Sequence, residues 1–122
     1  MNKDLCRKAG EVGQDNLIAK LFPPAEPFGI KVAGGEGDLK RGTVMALTEA
    51  GYVVLDAEAT GKANCVLSDP VDASGEDAVT AVAYRTGHFN RKALIVAEGY
   101  TMTAADEEEL RKGGILLSDM AE

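Results

Sequence analysis

The chain has no tryptophan, a single histidine and two cysteines, and its six aromatic residues are three tyrosines and three phenylalanines. The cysteines, Cys6 and Cys65, lie far apart, with no CxxC pair and no Cys/His cluster, so a zinc site is not expected. In a reducing compartment each is expected to stay a free thiol, with Cys65 in "NCVLSD" a small buried apolar residue. No apolar run approaches the ~20 residues that span a bilayer, which argues against a membrane partner. The first residues, "MNKDLCRKAGEVGQDN", carry no apolar stretch of the signal-peptide kind, so the chain is expected to stay in the cytoplasm where it is made. Basic charge is scarce as well. Residues 1–37 hold five basic and five acidic groups, and residues 38–122 hold eight basic and fifteen acidic, which gives the net −7. Nucleic-acid binding needs a basic face that displaces counterions from phosphates, so an acidic body beside a neutral arm argues against that partner.

What is present begins with 14 glycines in 122 residues, which predicts many turns and many short strands in one domain. Residues 1–14 are polar and interrupted by Gly10 and Gly13, and read as a mobile leader. "DNLIAKLFPPAEPF", residues 15–28, sets Leu17, Ile18, Leu21 and Phe22 ahead of Pro23, Pro24 and Pro27. The prolines exclude helix and favour an extended arm. Its apolar patch cannot bury itself locally and must dock on its own body or on another chain. From Phe28 onward the pattern is β. "GIKVA" alternates, "GGEGD" is a turn, and "KRGTVMAL", "TEAG" and "YVVL" form a hairpin. Residues 65–75 read as a short buried strand running out into a loop, and residues 76–87 and 93–99 as two further strands. The 76–87 strand carries Val79, Ala81 and Ala83 on one face. One helix is expected over 103–114, with Thr103 as N-cap, acids in its first turns, Arg111 and Lys112 in its last, and Gly113 as its left-handed stop. "ILLS" closes as a strand. The division is then an arm over 1–28 and a β-rich domain over 29–122.

No stretch carries an evident catalytic constellation, so no enzymatic activity, cofactor or metal is expected. His88 in "RTGHFNRKAL" has neither a nucleophile nor an orienting carboxylate beside it in sequence, and reads as a strand–turn–strand corner with Gly87 in the turn and Phe89 entering the core. "DEEEL" lies at a helix start, where capping and the helix dipole account for it, and it lacks the alternating ligands of a calcium loop. "GGEGD" lacks the spacing of a phosphate loop. Two rival classes stay open on the residues alone. One is a small β-barrel binding RNA or a sugar-like ligand. The other is a β-rich hydrolase using His88, which requires a concave pocket and a carboxylate within reach of the imidazole.

"LKRGTVMALTEAGYVVLD", "CVLSDPVDASGEDAVTAVAYRTGHFNRKAL" and "TAADEEELRKGGILLSD", taken in order, resemble the lambda-type head decoration proteins of tailed phages and prophages. The resemblance rests on residues 41–44, on 71–73 with Gly75, on 87–90 and on 110–115. Asn16, Leu17, Ile18 and Ala19 match the family's arm, so it extends over 16–118. The leader 1–14 is longer than the pattern requires, and Cys6 and Cys65 match no family role. The resemblance implies a mainly β fold of the β-clip type, with bent hairpins forming an incomplete barrel, one short helix near the C-terminus and an extended N-terminal arm. It implies a non-enzymatic homotrimer on the virion capsid exterior, made in the bacterial cytoplasm. That trimer would bind the major capsid protein and cement the expanded head after DNA packaging. Asn16, Leu17, Ile18, Ala19, Leu21, Phe22, Pro23 and Pro24 are then the expected capsid-binding arm. The trimer interface is left unassigned.

Overall fold

The computed structural model describes residues 16–119. Nine strands and one helix follow in order: β1 (Ile18–Lys20), β2 (Glu26–Val32), β3 (Gly37–Leu39), β4 (Val44–Thr48), β5 (Gly51–Val54), β6 (Ala63–Leu67), β7 (Val71–Ala73), β8 (Val79–Asn90), α1 (Ala104–Gly113) and β9 (Ile115–Ser118). Short 3₁₀ turns stand at Ala57–Ala59 and Arg91–Ala93. The predicted leader 1–14 and Cys6 lie outside the described residues.

β8 organises the fold. Over its first half it pairs antiparallel with β2 and with β6. β2 meets β5, β5 meets β4, and β4 meets β6, so five strands close into a ring. Over its second half β8 pairs with β1 and, in parallel, with β9. β3 and β7 form a separate two-stranded sheet. The fold is thus mainly β with one helix, as the sequence predicts.

The β4–β5 hairpin stands where expected, with Thr48 opposite Gly51 and Glu49–Ala50 between them. β4 and β6 are apolar without alternation ("VMA", "CVL") because both their faces are buried. Val44, Ala46 and Val66 enter one core cluster, which also takes Phe89, Leu110 and Ile115. Met45, Cys65 and Leu67 point the other way, toward Ile30, Val32, Ala81 and Ala83.

α1 is dictated by its ends. Thr103 Oγ1 accepts from the Asp106 N–H, and the Asp106 carboxylate accepts from the Thr103 N–H at 2.9 Å, a reciprocal capping box. The left-handed stop is Gly114, one residue beyond the predicted Gly113. Leu110 is fully buried and fixes the face that the helix presents to the core.

Two local expectations do not hold. Residues 93–99 form no strand; only an isolated bridge joins Thr43 and Ile95. The reason is competition, since β5 and β6 already occupy the two edges of β4. Residues 87–90 are not a turn. β8 runs straight through them, and Gly87 serves instead to make room: a Cβ there would lie 2.6 Å from the Phe89 ring. The "GGEGD" turn stands at Gly34 and Gly35, between β2 and β3, as expected. It presses on residues 75–76 so closely that a Cβ on Gly34 would sit 2.2 Å from the Glu76 carbonyl oxygen.

Candidate functional site

The eight arm residues singled out from the sequence do not share one environment. Leu17 is 1% exposed and belongs to the core cluster of Phe89, Leu110 and Ile115. Its carbonyl accepts from the Asn90 N–H at 2.7 Å. Asn16 just before it adopts φ 54°, a left-handed conformation that asparagine tolerates better than most residues. Ile18 and Ala19 are half-buried in β1, and Ile18 faces Phe89 across the ladder. Leu21 and Phe22 are 90% and 81% exposed. Pro23 is half-buried and Pro24 exposed, and the Phe22–Pro23 peptide is cis. Of the two expected ways to cover the apolar patch, docking on its own body is the one that Leu17 takes. The boundary between residues 28 and 29 also falls inside β2.

The register explains why the patch divides. Lys20 pairs with His88, and Glu26 pairs with Thr86. On β8 a single residue, Gly87, separates those partners, whereas residues 21–25 separate Lys20 from Glu26. The two strand steps from Thr86 to His88 cover about 7 Å, but the six steps from Lys20 to Glu26 would cover about 20 Å if extended. The excess chain is looped out. Thr86 Oγ1 donates to the Pro24 carbonyl at 2.7 Å and holds the far stem of the loop. The result is a knuckle on which Leu21 and Phe22 stand exposed. Sequence reasoning finds the apolar residues and the prolines, but not the loop, because the loop is defined by pairing with a strand more than sixty positions away.

The fold does bring a hydroxyl to His88. Ser118 on β9 lies 3.0 Å from its Nε2. The neighbouring cleft, about 430 Å³, is lined by Arg91, Glu107, Arg111 and Leu116 among others. A histidine that activates a serine needs an orienting carboxylate. Among the described residues none is hydrogen-bonded to His88. Glu107, which lines the same cleft, is engaged by Arg91 through two bonds of 2.9 and 3.1 Å, and Arg91 also holds Asp119 at 2.9 Å. The pair ties β9 to β8 and the Arg91 network ties both to α1. Among the described residues no three His, Cys, Asp or Glu side chains gather as a metal site.

The polar anchor of the helix side is Asp106, which is fully buried. Its carboxylate accepts from the Gly61 N–H at 2.9 Å, from the Thr103 N–H and hydroxyl at 2.9 and 3.1 Å, and from the Tyr100 hydroxyl. Burial alone would push its pKa up, but the bonds from Gly61, Thr103 and Tyr100 outweigh it and hold the carboxyl below its ordinary value. One side chain thus fastens α1 to the turn before β6 and to the segment before the helix. Burial pushes the Cys65 thiol up to about 12, so it is an inert core residue and not a nucleophile.

No curated protein matches the chain. The profile of the bacteriophage lambda head decoration protein D family matches residues 29–115. Those residues take in every other strand of the ring, all of β2 from Gly29 onward, and α1; residues 16–28, with β1 and the knuckle, lie outside the match. The match spans well over half of the chain and coincides with its closed ring and capped helix, and on that ground the chain belongs to the bacteriophage lambda head decoration protein D family, a structural family that decorates the phage capsid.

Proposed function

We propose that this decoration protein binds as a homotrimer to the outside of the expanded icosahedral head and stabilises it after DNA packaging. Its partner is the major capsid protein, and the capsid-facing segment is residues 16–24. The protein is made in the bacterial cytoplasm and ends on the virion exterior. The family match over 29–115 carries this reading. The exposure of Leu21 and Phe22 supports the choice of segment, since large side chains left in water on a capsid-binding protein invite a partner.

The mechanism is linkage. A protein that binds the expanded shell and not its precursor stabilises the expanded state by RT ln(1 + [L]/Kd). Three copies of one weak contact on a trimer reinforce each other through effective concentration, so each can be weak alone. The acidic body adds no attraction for the packaged DNA, which suits a protein that stays on the outer surface.

Co-sedimentation with purified expanded and unexpanded shells tests this directly. The expected result is binding to the expanded shells alone, with those shells surviving a heat challenge that opens undecorated ones. Equal pelleting with both forms, or with neither, would overturn the proposal. Sedimentation equilibrium of the released protein tests the trimer.

A further inference from the structure

We draw no further inference here: the strongest candidate, the cleft of about 600 Å³ beside β3 that is lined by Glu36, Asp38, Asp56 and Glu98, is a cluster of acidic side chains, and nothing in the structure shows what occupies or covers it.

Discussion

Leu17 and Leu21 stand four positions apart in one short segment, and they meet opposite fates. Leu17 is 1% exposed, Leu21 90%. The same side chain serves the body in one place and faces outward in the other. What separates them is β8. Opposite Leu17 and Ile18 the ladder is in register with Asn90 and Phe89, and the core offers Phe89, Leu110 and Ile115 as neighbours. Opposite Leu21 the ladder has only Gly87 to offer for five residues, and the chain leaves the surface. Hydrophobicity decides that a residue seeks cover; strand register decides whether it finds cover in its own chain.

The largest effect should come from removing both regions together. A chain beginning at Gly29 lacks β1, Leu17 and the first three residues of β2. It loses the ladder from Glu26 to Phe28 and opens the core beside Phe89. We expect no cooperative thermal transition above room temperature, measured by far-ultraviolet circular dichroism. A melting curve close to that of the full chain would show that the base of the arm is dispensable, and the distinction between Leu17 and Leu21 would collapse.

Next in size is Leu17→Ala. Deleting a buried leucine costs about 2–5 kcal/mol, spread by how far the site relaxes. Here β1 holds the backbone in place, so little relaxation is expected. In a Cys6→Ser background, Cys65 reports the change as well. Its thiol is fully buried, with its pKa pushed up to about 12, so it reacts with a disulfide reagent only when the core opens. Leu17→Ala should speed that reaction, and Leu21→Ala should leave it unchanged.

How much of this was legible in the sequence follows from how local each signal is. The N-cap Thr103 and the helix after it were read from the chain within one position at each end, because the signals sit within a few residues; the reciprocal bond from Asp106 came from the structure. The β4–β5 hairpin is equally local. The buried face of β8, with Ala81 and Ala83, followed from period-two alternation. Residues 93–99 misled because an apolar run shows only that it needs burial. Leu94 and Val96 do pack on the core, but the edges of β4 beside them were already taken. Gly87 misled because glycine marks both turns and close contacts, and only the Phe89 ring distinguishes them. The His88–Ser118 pair and the knuckle were invisible for a shared reason: each is made by β8 meeting a segment thirty or more residues away.

A third change separates the polar anchor from both arm positions. Asp106→Asn places an amide nitrogen where two N–H groups and two hydroxyls already point. Each buried donor left unpaired costs about 1–3 kcal/mol, so a loss of that order is expected at neutral pH. The pH dependence has a definite sign. The folded-state pKa of Asp106 lies below its ordinary 3.8, so the unfolded chain binds the proton more readily. Its contribution is fully present above pH 3.8 and is lost as pH falls through the depressed folded value. The stability gap between the unaltered chain and Asp106→Asn should therefore narrow on acidification below that point, as read from urea midpoints across a pH series. A gap that stays constant would mean that the carboxylate charge is not what holds Gly61, Tyr100 and Thr103 together.

The smallest effect is the most informative about the knuckle. Leu21→Ser/Phe22→Ser should change folding stability by less than about 0.5 kcal/mol. Both side chains are more than four-fifths exposed in the folded protein, and both are exposed in the unfolded chain, so their transfer free energy cancels between the two states. The bonds that hold the loop survive the substitution. The Pro24 carbonyl and Thr86 hydroxyl are untouched, and Lys20 and Glu26 still pair with β8 through their backbones. Urea denaturation should give an unchanged midpoint and an unchanged slope, since the surface exposed on unfolding is nearly the same. A midpoint shift worth more than about 1 kcal/mol would mean that the knuckle packs on its own body as Leu17 does. An unchanged midpoint together with lost capsid binding would separate the two ends of the segment cleanly, one end holding the fold together and the other left free for the shell.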